Sequence, residues 1–433
     1  MRSLLVLLII FSFVPAILAK PHVGVLLWSW IAYMNPHRLT WGAAANFPVA
    51  ELVGGGTILA LFFSHEKKNF LGHPLMVLLL AYALWVTITT FFAVAPEFAW
   101  GKWDRTEKIL LFTFITVALI SNRSRLTALV WVTVISLGFY GIKGGVFTIL
   151  GGGKSHVFGP PGSFIGDNNA LALALIMTLP LMRFLHMQAQ SKLLRWGLAG
   201  AIVLTLFAIF GSQSRGAFLA LGAMLTFMAL KSRRRGFAIL TLIVALGIGI
   251  SFMPTSWKER MESISNYQHD ASATGRIVMW KFAVDLAADH PIVGGGFLSF
   301  YDQGLRLKYL PPGTRGRNVH SIYFEALGEH GYVGLLLFLA IGLGTYFTAG
   351  RTIRETRRRP DLYWARDLAS MLQVSLVGYA VGGAFLNLGT FDLYYQLVVL
   401  VVITRLLVRR ALGTEVSKHA WRPPAWNRAG VAG

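Results

Sequence analysis

Three short stretches of this chain carry side chains whose types and spacing suit chemistry on a charged substrate. The first is His320-Ser321-Ile322-Tyr323-Phe324-Glu325-Ala326-Leu327-Gly328-Glu329-His330-Gly331-Tyr332-Val333-Gly334, which passes from polar sequence into an apolar run. A histidine at such an edge can take a proton near neutral pH. Helical spacing puts His320, Phe324 and Leu327 on one face. The second stretch is Ser212-Gln213-Ser214-Arg215-Gly216, lying between two apolar runs with almost no loop. Ser214 suits the N-cap of the helix that follows. A helix start with open N–H groups beside Arg215 is an anion site, and a cation so close to apolar surroundings is costly to keep. The third is Thr274-Gly275-Arg276. Thr274 is expected to cap a helix that runs to about Asp289 and stops before Pro291. Arg276 then falls in the first turn, where the helix dipole disfavours a cation and an anionic partner would offset it. Ile277, Trp280, Val284 and Ala287 fall on one face of that helix, which reads as amphipathic and lying on a membrane surface. A structural histidine and arginines that only snorkel to a membrane surface would use the same residue types.

Further polar residues sit at the edges of apolar runs. Asp167, in Ile165-Gly166-Asp167-Asn168-Asn169, and Asp392, in Thr390-Phe391-Asp392, can orient an arginine or bind a hydroxyl; Asp167 also suits a helix cap. The glycine clusters Gly151-Gly152-Gly153, Gly294-Gly295-Gly296 and Pro311-Pro312-Gly313 allow close backbone approach. Other chemistries fail on inventory. The absence of cysteine removes disulfides, thiolate metal sites and cysteine nucleophiles together. There is no Asp-x-Asp, no His-Glu-x-x-His, no Gly-x-x-x-x-Gly-Lys-Ser/Thr and no Gly-x-Ser-x-Gly. Neither a metal nor a cofactor is expected.

The elements that must position these residues are membrane helices. Of 433 residues, 55% are hydrophobic and 14% charged, whereas a soluble domain is roughly a quarter charged. This excludes a cytosolic enzyme, a disordered tail and a secreted disulfide scaffold. Apolar runs near 3–19, 47–64, 71–93, 107–121, 125–150, 168–187, 196–211, 215–231, 236–253, 332–350, 365–388 and 390–408 predict about 12 transmembrane helices, the first retained and not cleaved as a signal peptide. The stretch Val23 to Met34 is too short to cross and is expected to be re-entrant or interfacial. The net charge of +21 reads chiefly as basic loops facing anionic lipid. The basic residues are scattered, which argues against nucleic acid. Arg2, Lys67-Lys68, Arg123, Arg125, Arg183, Lys192, Arg195, Lys231, Arg233 to Arg235, the loop Arg351 to Arg366 and the tail from Arg405 all fall on alternate connections. By the positive-inside rule that side is cytoplasmic and holds both termini. The chain then divides into nine helices over 1–253, one long external loop over 254–331, three helices over 332–410 and a cytoplasmic tail over 411–433.

His320-Ser321, nine residues, and Gly331-x-x-Gly334 match the signature His-[Asn/Ser/Gln]-x9-Gly-x-x-Gly, and the chain thereby resembles the O-antigen ligase and polymerase superfamily. Ser212-x-Ser214-Arg215-Gly216-Ala217 and Thr274-Gly275-Arg276 look like that family's two arginine positions. The segment Trp28 to Trp41, with Met34-Asn35-Pro36-His37-Arg38-Leu39-Thr40-Trp41, resembles the branch of O-glycosylation ligases associated with exosortase A systems. The resemblance implies an all-α polytopic, GT-C-like glycosyltransferase of the bacterial inner membrane, metal-independent and inverting. The implied donor is a glycan on undecaprenyl pyrophosphate at the periplasmic face. The acceptor is a hydroxyl of lipid A–core, another glycan or a protein. In this scheme His320 takes the acceptor proton, and Arg215 and Arg276 hold the pyrophosphate through bidentate hydrogen bonds. Ser214, Asp167 and Asp392 would contact substrate. A repeat-unit polymerase, a protein O-oligosaccharyltransferase and a lipid-linked glycan transporter are the alternatives. The transporter suits the sequence least, because the candidate residues sit at one membrane edge and no repeat is evident.

Overall fold

A computed structural model describes residues 2–66, 68–232, 235–262, 271–314 and 318–420. Lys67, Arg233, Arg234, Ser263 and the tail Trp421 to Gly433 lie outside the described residues. Every regular element among those described is helical. The N-terminal part comprises α1 (Arg2–Ala19), α2 (Pro21–Met34), α3 (Ala43–Asn46), α4 (Val49–Phe63), α5 (Pro74–Phe91), α6 (Pro96–Leu119), α7 (Arg123–Leu150), α8 (Asn168–Gln188) and α9 (Lys192–Gly211). There follow α10 (Arg215–Lys231), α11 (Arg235–Phe252), α12 (Thr255–Glu262), α13 (Ala271–Asp289), α14 (Gln303–Tyr309), α15 (Ile322–Glu355), α16 (Tyr363–Gly383) and α17 (Asp392–Ala420). The protein is an all-α, multi-pass membrane protein. Among the described residues α1, α5, α7, α8, α9 and α15 are long and apolar enough to cross a bilayer. The other six predicted spans also carry helices, and their crossing is a proposal.

Local sequence sets the helix starts. Short polar side chains accept amide hydrogens at the N-caps of α7 (Asn122), α8 (Asp167), α9 (Ser191), α10 (Ser214) and α14 (Asp302). The core centres on α8, buried almost continuously from Ala170 to Met182 and wrapped by α7, α9, α10 and α16. The short α2 is neither exposed nor peripheral. It packs among α1, α4, α6 and α7, with Trp28 stacked on Phe112 at 3.7 Å between ring centroids. Asn35, left-handed at φ 47°, ends it. At the end of the bundle remote from His320, Arg125 forks onto Glu66 (2.6 and 2.9 Å) and Arg405 onto Glu355 (2.5 and 2.8 Å).

The helix that follows His320 is broken. Gly331 inside α15 has φ 67° and ψ −171°, so the half-helix 322–330 and the remainder of α15 are separate segments. A break frees the carbonyls of the preceding turn, and buried carbonyls need new donors. Gly295 N–H donates to Gly328 O (2.8 Å), Gly296 N–H to Glu329 O (2.9 Å) and the Trp85 indole to His330 O (3.0 Å). The Gly294-Gly295-Gly296 run therefore serves backbone–backbone docking. A Cβ on Gly294 would sit 2.6 Å from Gly331 N, and one on Gly331 would sit 2.2 Å from Ile292 O. Gly334 is needed because a Cβ there would meet His330 Cβ at 2.2 Å. The Gly-x-x-Gly spacing is thus one left-handed break and one close side-chain approach.

Gly331→Ala is expected to lower stability by about 1–2 kcal/mol from its left-handed backbone alone, and further through overlap with Ile292 O. Gly55, a helical position with nothing within 4 Å of an added Cβ, provides the control: Gly55→Ala should leave thermal unfolding in detergent unchanged or slightly raised.

Candidate active site

The three candidate stretches meet through their neighbours. Val319 O accepts a hydrogen bond from the Trp280 indole (2.9 Å), and the Trp280 ring stacks on Phe324 at 5.1 Å. Trp280 is one turn after Arg276 on α13. His320 N–H donates to Oδ1 of Asn387, in the connection 384–391 between α16 and α17. Two residues earlier, Phe385 abuts Gly216, where a Cβ would come within 3.1 Å of Phe385 Cβ. Gly216 adjoins Arg215 in the first turn of α10. One short connection thus touches the arginine end of α10 and holds the backbone of His320, while α13 holds the residue before it.

Backbone strain marks the same places. His320 is left-handed at φ 49° and Gln213 at φ 55°. Such conformations cost non-glycine residues of order 1–3 kcal/mol and persist only where neighbours over-determine them. The peptide unit that leads into His320 is held at both its carbonyl, by Trp280, and its N–H, by Asn387. Gln213 is held by its amide, which donates to Gly153 O (3.0 Å) and Lys154 O (3.3 Å). Asn168 Nδ2 donates to Ser212 O (2.7 Å), tying the start of α8 to the same turn.

Beneath His320 lies a buried charge cluster. Lys102 on α6 reaches Glu325 Oε1 (2.7 Å) and both oxygens of Glu329 (2.8 and 2.9 Å). The two carboxylates are one turn apart on the half-helix 322–330. Glu325 Oε2 accepts from Gly389 N–H (3.0 Å), and Glu329 Oε1 from Leu298 N–H (2.9 Å). Tyr395 and Tyr379 donate to Gly389 O (3.0 Å) and Leu388 O (2.8 Å). These bonds set the connection from which Asn387 projects. His330 is a core residue, 1% exposed, with Nδ1 against the Thr89 hydroxyl (2.7 Å) and its ring edge-on to Phe297 at 4.4 Å.

Several details differ from the sequence reading. His320 lies two residues before α15, so it shares no helical face with Phe324 and Leu327. α13 begins at Ala271, three residues before Thr274, and Arg276 is its sixth residue and lies in the second turn, where the dipole argument weakens. The face that α13 buries is Met279, Phe282, Ala283 and Leu286; Ile277 and Val284 are exposed. The helix thus packs against α15 on one side and presents a second apolar side outward. α16 stops at Gly383, so an eight-residue connection separates it from α17 where the sequence suggested almost none. Ser214 caps α10 through Ala217 N–H (3.2 Å), and Asp167 caps α8 with one oxygen taking the amides of Asn169 (2.8 Å) and Ala170 (3.1 Å). Asp392 opens α17, its Oδ1 accepting from Leu393 N–H (2.7 Å). At the outer edge of α13, Lys308 and Tyr309 clamp Asp289 and hold its carboxyl below the usual aspartate range. Among the described residues no group of three His, Cys, Asp or Glu could hold a metal ion.

Lys102 and Asn387 were missed by sequence reasoning, and Trp280 was read only as part of an apolar helix face, not as the donor to Val319 O. The signal for Lys102 was the charged run Glu97 to Lys108 ahead of a predicted span, which is one continuous helix with it.

Comparison with known proteins now bears on this arrangement. Residues 200–339 match a family model described as O-antigen ligase, and the match encloses Arg215, Arg276, His320 and Gly331-x-x-Gly334. The match covers about a third of the chain, which over that stretch is similar to O-antigen ligases. Residues 1–190 match a family of unknown function, DUF5935; Lys102 comes from this part and Asn387 from beyond both matches. Over 98 residues the chain is 26% identical to the exopolysaccharide production protein ExoQ of Rhizobium meliloti (strain 1021). That alignment takes in 21% of this chain and 22% of that protein, so the chain spans about a fifth of the curated relative it matches.

Lys102→Met should destabilise the fold by roughly 3–5 kcal/mol, because it leaves two buried carboxylates without their cation. Adding Glu325→Gln and Glu329→Gln should recover most of the loss. Thermal unfolding of the single and triple variants checks this; a triple variant no better than Lys102→Met alone would mean the cluster acts through packing.

Proposed function

We propose that this protein transfers a glycan from undecaprenyl pyrophosphate to an acceptor hydroxyl at the periplasmic face of the bacterial inner membrane. The observation that carries the reading is the strained, doubly held His320 beside the segments bearing Arg215 and Arg276. His320 takes the proton of the acceptor hydroxyl as its oxygen attacks the anomeric carbon. The bond from that carbon to the pyrophosphate oxygen breaks with inversion. Undecaprenyl pyrophosphate leaves with the electron pair, and the proton remains on His320. Arg215 and Arg276 offset the charge that grows on the leaving group, and guanidinium forks suit phosphate oxygens. Asp167, at the start of α8, and Asp392, at the start of α17, would meet the glycan or the acceptor. Similarity to an exopolysaccharide production protein favours, as a second reading, a growing glycan chain as the acceptor in place of lipid A–core; a protein hydroxyl is the third.

The test is a transfer assay with purified protein and undecaprenyl-pyrophosphate-linked glycan, offering lipid A–core, free glycan and a Ser/Thr-containing exported protein in parallel. His320→Ala should lower turnover by about 10²–10⁴-fold in a protein that still unfolds at the wild-type temperature. EDTA should leave the rate unchanged. Full turnover by His320→Ala at saturating donor would sink the base assignment. Arg215→Lys and Arg276→Lys should each lose most activity, since an ammonium cannot replace a planar fork. Asn387 is a positioning residue: Asn387→Ala should lower kcat with little change in KM, and Asn387→Asp, which keeps an acceptor oxygen, should restore much of it.

A further inference from the structure

A second built cavity lies at the opposite end of α15. It is about 280 Å³ in volume, enclosed by the start of α5, the late turns of α15 and α17, and contains Arg351, Arg405, Arg409, Thr348 and His73. Arg405 is 2% exposed, forked onto Glu355, and Arg351 also bonds Glu355 (2.8 Å). Arg409 follows Arg405 by one helical turn. Arg351 and Arg405 share the one Glu355 carboxylate, and Arg409 adds a third guanidinium to the cleft, so positive charge there exceeds negative. His73 adds a donor without adding charge. Its Nδ1 accepts from Leu75 N–H (3.2 Å), so the neutral ring carries its proton on Nε2.

The other wall is apolar: Pro74, Leu75, Leu78 and Gly344. Beside it Val77, Leu343 and Phe347 are more than half exposed and face outward from the bundle. Polar donors at one end and an apolar wall opening toward lipid make an amphipathic slot. Basic pockets between membrane helices suit phosphodiester headgroups. We infer that this cleft binds an anionic phospholipid, its phosphate held by Arg351, Arg409 and Thr348 and one acyl chain lying along Leu75 and Leu78. The lipid bridges α5, α15 and α17 at the end remote from His320, and this site stands apart from the glycan-transfer reading.

The experiment uses the full-length protein, delipidated in neutral detergent. Thermal unfolding and native mass spectrometry follow titration with phosphatidylglycerol, phosphatidylcholine and inorganic phosphate. Phosphatidylglycerol is expected to raise the unfolding temperature and be retained at one copy, with apparent affinity at least tenfold above that of phosphatidylcholine. Arg351→Gln with Arg409→Gln should remove that tenfold preference, whereas Arg357→Gln, an exposed arginine outside the cleft, should keep it. Leu78→Trp fills the apolar wall while leaving all charges, and should weaken phosphatidylglycerol as well. Equal stabilisation by both lipids, an equal loss in Arg357→Gln, or inorganic phosphate reproducing the effect unaided would each overturn the assignment.

Discussion

Lys102 with Glu325 and Glu329 is the interaction from which the candidate site is hung. Two carboxylates on consecutive turns of a half-helix would repel each other in a buried setting. One ammonium from α6 lies between them and converts that repulsion into a three-way tie. The carboxylates also anchor backbone: Glu325 Oε2 takes Gly389 N–H, and Glu329 Oε1, shared with Lys102, takes Leu298 N–H. The cluster thus fixes where the half-helix sits and, through Gly389, where Asn387 can reach. Its net contribution to stability is modest, because desolvating three charges costs about as much as their attraction returns. Its contribution to geometry is large, because the alternatives leave a buried charge alone.

The break at Gly331 is the second constraint, and it depends on the first. A helix continuous from Ile322 to Glu355 would satisfy its own carbonyls. Breaking it requires donors from the Gly294 to Gly296 run and from Trp85, which commits α5 and the segment after α13 to that point. Irregular backbone at membrane depth is tolerated where protein surrounds it, and here α5, α6 and α13 do so. The result is a short helix aimed differently from the long one that follows, with a strained histidine at its entrance.

Much of this was legible in the sequence and some of it could not be. Apolar length located the helices, because a bilayer demands roughly 20 apolar residues whatever the neighbours are, but α6 and α15 start about ten residues before the predicted spans. Ser214 and Asp167 were legible as caps because capping is local chemistry. The Arg215, Arg276 and His320 stretches stood out because charge is rare near apolar runs. What failed was everything set by distant partners. His320 reads as helical by spacing, yet its φ is imposed by Trp280 and Asn387. Thr274 is a good cap by type, yet α13 starts earlier. The glycine triplet was legible as a place of close backbone approach, but not that the approach supplies donors to a broken helix. Lys102 looked like one charge among six at the head of a span, and nothing local distinguishes it from Asp104 or Lys108.

The distances along the chain between these partners have a consequence for biogenesis. Lys102 waits 223 and 227 residues for its two carboxylates, and His320 a further 67 for Asn387. During synthesis α6 is therefore made with its lysine still uncompensated, and the histidine must emerge before the side chain that holds its backbone exists. A polypeptide released just short of residue 387 would possess all three chemical side chains and most of the bundle, yet lack the last fastener. Ribosomal completion, more than insertion, is the event that assembles this site.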